Sequence, residues 1–240
     1  MNVDFAALIS AGSGYAALAF VPPIIWLLIY LREDKHREPP YLLILTFIGG
    51  TASALAALFI QQFLLSDLDK TRDFVVIFAS IALIEEYVKY LVVKLLVLRR
   101  PDFNEPIDAM IYMVTAGMGF AAMENLLFLW IQTYNPLLLV GENLAAGAQL
   151  SAARFIGANL LHVLSSAVVG YFLAKAWFHP NRKHFIALGI LSASILHAGF
   201  NYLIILRDKL TGSLVYLMAL LFIGLIIVLI DFHKLQKEST

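Results

Sequence analysis

Residues 74–98 read FVVIFASIALIEEYVKYLVVKLLVL, with neither proline nor glycine. The stretch exceeds the roughly 20 mostly apolar residues that carry an α-helix across a bilayer. In lipid its backbone must satisfy its own hydrogen bonds, so it is read as a membrane-spanning helix. Yet Glu85, Glu86 and Lys89 stand in its middle. Ionisable groups at that depth are costly and face a cavity or a partner on another helix. A span of this kind implies neighbours.

The neighbours are evident. Six further apolar stretches cover roughly 14–31, 41–65, 107–133, 151–178, 185–206 and 214–231. The chain is 61% hydrophobic and 14% charged, with a mean hydropathy of +0.82. A soluble domain is about 45–50% apolar and about 25% charged. Disorder and an ordinary soluble enzyme are excluded. The fold expected is all-α, a polytopic integral membrane helix bundle of about seven transmembrane helices, with 1–240 as one transmembrane domain. Seventeen Lys and Arg balance 17 Asp and Glu, which gives no reason to expect a nucleic-acid partner. There is no Cys, hence no disulfide and no thiolate nucleophile or ligand. Any metal would need His and carboxylate ligands.

The connections are short and polar. The charged run 32–38 ends at Pro39-Pro40, which can start the next helix but not continue the last. The link 134–150 is the longest, holds Pro136 and Gly141, and is expected to carry a short interfacial segment. Lys and Arg asymmetry sets orientation. Eleven (Arg32, Lys35, Arg37, Lys94, Arg99, Arg100, Lys175, Arg182, Lys183, Lys234, Lys237) lie on one side. Five (Lys70, Arg72, Arg154, Arg207, Lys209) lie on the other. This puts the N-terminus outside and the C-terminus in the cytoplasm, in the cytoplasmic (cell) membrane. The first thirteen residues lack the basic region of a cleaved signal peptide, so the first apolar stretch is expected to stay as a span. Arg154 and Asp108 lie near span ends and are read as structural.

Ionisable groups also occur singly in other spans. Glu124, followed by Asn125, is in the fourth, His162 in the fifth, and His197 with Asn201 in the sixth. At ~1.5 Å per residue from the outer end, Glu85 lies roughly 17 Å down and Glu124, His162 and His197 roughly 14–15 Å. Groups on four helices thus share one level near the bilayer centre. Glu85 and Lys89 are spaced i,i+4 and are expected to pair, while Glu86 points about 100° away. Gly117, Ala121 and Glu124 share a stripe, as do His162, Ser166 and Gly170, where small residues admit a neighbouring helix.

Two chemistries fit these residue types. Two His and one Glu form a Zn site with an open water position. Alternatively one Glu acts as general base on water, with His197 and Asn201 stabilising the oxyanion. Both describe amide hydrolysis inside the membrane. Buried Glu, Lys and His also make the relays of a proton- or ion-coupled transporter, but no inverted repeat or broken helix pair supports that reading. A non-enzymatic scaffold is the third alternative.

The motifs add a resemblance. Glu85-Glu86-Tyr87-Val88-Lys89 is followed by Pro106-Ile107-Asp108-Ala109-Met110 and Gly119-Phe120-Ala121-Ala122-Met123-Glu124-Asn125. Leu161-His162 with Gly170-Tyr171, and Leu196-His197-Ala198-Gly199-Phe200-Asn201, complete the order. This series resembles the PrsW family of intramembrane proteases, distant relatives of CAAX prenyl proteases and bacteriocin-processing membrane proteases. It covers about 74–205, which makes those spans a four-helix catalytic core. The resemblance implies a peptidase acting on membrane-anchored protein substrates in the lipid bilayer, with the first cut of an anti-sigma factor as a typical role. It implies Glu85 and Glu86 as the catalytic pair, completed by Glu124, His162 and His197 and assisted by Asn201. Glu124, His162 and His197 are the expected ligands of one divalent metal (Zn), with a metal-free glutamate mechanism equally open; Lys89 and Asn125 support the site. CAAX-type relatives carry EExxxR and FxxxH where this chain has Lys89 and Phe120 with Glu124, which speaks against prenylated substrates.

Overall fold

Residues 106–122 are buried without a break, and they form most of the helix Asp108–Thr133. A helix apolar and buried all round is the core of a bundle rather than a surface element. The computed structural model describes residues 5–32, 34, 36–69, 73–135, 140–177, 179–206 and 211–238. Its helices, in chain order, are α1 (Phe5–Leu31), α2 (Pro40–Leu65), α3 (Phe74–Leu96), α4 (Asp108–Thr133), α5 (Val140–Ile156), α6 (Ala158–Trp177), α7 (Arg182–Ile205) and α8 (Ser213–Glu238). Helix α4 is wrapped by α1, α2 and α6; α3 lies between α2 and α7, and α8 leans on α6 and α7. No strand occurs among the described residues.

Four glycines set the spacing around α4: Gly117 and Gly119 on the helix itself, and Gly50 of α2 and Gly170 of α6 against its backbone. A Cβ on Gly119 would collide with the backbone carbonyl of Phe47 on α2. A Cβ on Gly117 would collide with the Ser166 hydroxyl on α6 and crowd the His162 carbonyl. Small residues thus let α2 and α6 approach α4 closely, the way helices pack where lipid removes the hydrophobic drive to associate. The outer faces are the reverse. Along α2, Ile44, Ile48, Leu55, Phe59 and Phe63 are all exposed, a stripe at helical spacing that water would not tolerate and acyl chains solvate.

Six segments are long and apolar enough to cross a membrane. Helix α3 makes the seventh, with 23 residues and three central charges that are buried within the bundle. The protein is a multi-pass membrane helix bundle. Helix α2 begins at Pro40, as its leading prolines require. The region 134–150 differs from expectation. Most of it is helix α5, packed on α1 and α4, with Asn143, Gly147 and Ser151 buried. Its small and amide residues allow that close packing, and Ser151 Oγ donates to the Leu18 carbonyl at 2.7 Å. Only Gly157 separates α5 from α6. Pro136 and five of the orientation residues, Lys35, Lys70, Arg72, Arg207 and Lys209, lie outside the described residues.

Candidate active site

The deep ionisable groups do converge. On α3, Glu86 and Lys89 are fully buried and joined at 2.8 Å. This is an i,i+3 pair, not the expected i,i+4 pair of Glu85 with Lys89. The Lys89 ammonium is drawn toward α6, where it donates to His162 Nδ1 at 2.9 Å and lies over the Phe120 ring at 4.6 Å. Glu85, turned away along α3, instead accepts from the Gln61 amide of α2 at 3.1 Å.

Tautomers follow from these contacts. Ammonium is donor-only, so His162 Nδ1 accepts and its proton sits on Nε2. That N–H donates to Glu124 Oε2 at 2.7 Å. Glu124 is held from the far side by Arg154 at 3.2 Å. Arg154 in turn donates to Asn125 Oδ1 at 2.6 Å, and Asn125 reaches Asn159 at 2.9 Å and the Ala19 carbonyl at 3.3 Å. A continuous polar chain thus runs from α3 through α6 and α4 to α5.

His197 of α7 closes the cluster. Its Nδ1 lies 2.8 Å from Glu86 Oε1, the same oxygen that Lys89 contacts. The carboxylate is acceptor-only, so Nδ1 carries a proton, and when the ring is neutral Nε2 is a lone pair. That lone pair faces Glu85 Oε2 at 3.6 Å. Glu85 Oε2, like Glu86 Oε2, is buried and has no hydrogen-bond partner among the described residues. The His162 and His197 rings stand nearly perpendicular, 5.3 Å between centroids.

Glu85, His162 and His197 each place one ligand atom within 4.8 Å of the others. This trio differs in one member from the expected set of Glu124, His162 and His197. Glu124 is already occupied by Arg154 and His162, whereas Glu85 keeps an oxygen free. The donors suit Zn, which takes imidazole nitrogen and carboxylate oxygen, and the partnerless Glu85 oxygen is where a cation would be welcome. Both nitrogens of His162 are engaged, so ligation there would displace Lys89 or Glu124. Asn201 is half-buried one turn along α7 and makes no hydrogen bond to the cluster.

Sequence reasoning missed two contributors. Gln61 was passed over because it carries no charge, although two adjacent amides, Gln61 and Gln62, in an apolar span were a signal. Arg154, expected at a span end, is instead turned inward onto Glu124, its side chain only 12% exposed.

A helix bundle in lipid, closed around Glu and His with a free carboxylate oxygen at its centre, defines a membrane protein equipped for acid–base or metal chemistry. Residues 38–229 match the family described as "PrsW family intramembrane metalloprotease". The chain belongs to that family. It is 30% identical over 207 residues to a protein named Protease PrsW of Oceanobacillus iheyensis, covering 85% of this chain and 90% of the relative. Proteins of the same name from Geobacillus kaustophilus (28% over 205 residues; 84% and 81% covered) and Bacillus subtilis (26% over 202 residues; 82% and 83% covered) are similar over comparable lengths. No solved structure matches the chain.

Proposed function

We propose that the protein is an intramembrane endopeptidase that hydrolyses a peptide bond of membrane-anchored protein substrates with water activated at Glu85. The observation that carries this reading is the facing pair of Glu85 Oε2 and His197 Nε2. With the His197 ring neutral, two acceptors stand 3.6 Å apart and make no hydrogen bond to each other. Such a pair calls for a bridging donor or cation, because buried polar groups without partners are destabilising. Water has two O–H groups to offer both.

Roles follow from the partners. Glu86 is already matched by Lys89, so it orients the His197 ring and fixes its tautomer. Glu85 has no cation beside it and takes a proton from the attacking water, later passing it to the leaving amine. Lys89 joins Glu86 to His162, and His162 and Arg154 together hold Glu124. Asn201, one turn from His197, is assigned the donor to the substrate carbonyl oxygen. Glu85, His162 and His197 are the residues that would hold a divalent ion such as Zn, which would acidify bound water and polarise the scissile carbonyl. A metal-free glutamate mechanism uses the same residues.

The Lys and Arg asymmetry supports an outside N-terminus and a cytoplasmic C-terminus, with cleavage in the outer half of the bilayer. The first cut of an anti-sigma factor is the proposed physiological step. The catalytic core is proposed to span 74–205, with α2 contributing Gln61. Mass spectrometry of new N-termini in membrane proteins, comparing cells with wild-type and Glu85→Gln protein, tests the reading. Products unique to wild type are expected, and identical product sets would refute it.

A further inference from the structure

Between α2 and the outer half of α3 lies a groove of about 410 Å³. One wall is Leu58, Gln61, Gln62 and Leu65 of α2; the other includes Ile77 and Ile81 of α3. Residues 58, 61, 62 and 65 follow i, i+3, i+4, i+7 spacing and make one stripe. Residues 77, 81 and 85 are spaced by four, so the second wall continues directly to Glu85. Gln61 belongs to both places: it lines the groove and donates to Glu85 Oε1 at 3.1 Å.

We propose that this groove takes the substrate itself, as an extended polypeptide segment whose backbone amides bind Gln61 and Gln62 and whose scissile bond is delivered to Glu85. The inference rests on the endopeptidase reading and names how that site receives its substrate. A peptide bond inside a helix is shielded, its carbonyl bonded within the helix. Cleavage therefore needs unwound chain, and unwound amides in the hydrocarbon layer have no water to bond. A carboxamide carries one acceptor oxygen and two N–H donors, the complement of a peptide group. Gln61 spends one N–H on Glu85, and its oxygen has no partner among the described residues. Gln62 forms no hydrogen bond there either, and it is exposed to the groove. The apolar remainder of both walls fits side chains from a membrane-anchored segment. An acyl chain would fit the apolar walls but would leave both amides unmatched.

The test uses the full-length chain in proteoliposomes with a single-span membrane protein carrying a sequence cut by wild type and spared by Glu85→Gln. A photo-cross-linking residue is placed at Leu65 or Ile77, in the Glu85→Gln background so that substrate is not consumed, and at lipid-facing Phe59 as control. Groove positions should capture the substrate near its cleavage site, and Phe59 should capture lipid. In the otherwise wild-type chain, Gln62→Leu should raise KM roughly 2–10-fold with little change in kcat, as loss of a ground-state hydrogen bond does. Leu65→Trp, which fills the groove, should act in the same direction. Capture of lipid alone at the groove positions, or unchanged KM in both variants while wild type cleaves, overturns the groove inference and leaves the peptidase standing. Absence of any wild-type product overturns the peptidase reading and the groove's role with it.

Discussion

Replacing Lys89 by Met keeps most of the side-chain volume and removes one buried charge. Lys89 and Glu86 are both 0% exposed, and their charged atoms are 2.8 Å apart. At that separation and an effective dielectric of about 20, the pair's attraction is about 6 kcal/mol. That is a ceiling, because His197 still donates to Glu86 at 2.8 Å in the variant. Breaking a buried pair by deleting one partner costs about 3–5 kcal/mol, and the variant is expected in that range. His162 Nδ1 also loses its donor, which adds to the cost. Adding Glu86→Gln removes the orphaned carboxylate while keeping an acceptor for His197. The double variant should therefore recover at least about 2 kcal/mol relative to the sum of the single changes. Equilibrium unfolding in detergent micelles of the four proteins in this cycle measures it. A loss below about 1 kcal/mol in Lys89→Met, or strict additivity in the double variant, would refute the claim that this ion pair holds α3 in the bundle.

Other outcomes follow from the same geometry. Gly119→Ala forces a Cβ onto the Phe47 carbonyl and should destabilise the bundle by about 1–3 kcal/mol, read by the same unfolding assay. Arg154→Ala leaves Glu124 with His162 as its remaining polar partner; cleavage should fall and return in part with Arg154→Lys, and full activity in Arg154→Ala would exclude a role for this pairing. Burial pushes the Glu38 carboxyl up from 4.5 to about 8, against the favourable bond from the Tyr112 hydroxyl. Between those values the unfolded chain ionises at Glu38 while the folded one keeps its proton, so this residue's contribution to stability is lost as pH rises through about 8. Comparing wild type with Glu38→Gln from about pH 5 to about pH 9 should show the wild type losing stability relative to the variant. Elemental analysis of purified protein should find a divalent metal that is depleted in His197→Ala, with chelation abolishing cleavage; full activity in metal-free protein would establish the glutamate mechanism instead.

Much of the architecture is legible in the chain because lipid imposes a simple rule: a span is apolar and helical. The charged segment 32–38 and the prolines after it mark a helix start to within one residue, since proline cannot continue the preceding helix. Region 134–150 is harder, because a stretch that mixes Leu and Ala with Asn, Glu, Gln, Pro and Gly can be a loop in water or a helix wedged against neighbours. Helix α5 is the latter, stabilised by contacts with α1 and α4 that no local pattern encodes. Within the candidate site, depth arithmetic on single helices places Glu85, Glu124, His162 and His197 at one level. It cannot choose partners among them.

The sequence by itself determined the class of molecule, the number of spans and the shortlist of groups that a membrane interior would not keep without cause. Hydropathy and helical rise are local properties, and they suffice for that. Only the tertiary structure decided the pairings. Lys89, drawn toward His162 of α6, pairs with Glu86 and leaves Glu85 facing His197, and the inward turn of Arg154 sets a second cation against Glu124. Which carboxylate takes the ammonium depends on distances between helices far apart in the chain. The approach of α6 to α4 at Gly117 is one of them, and it brings His162 to Glu124.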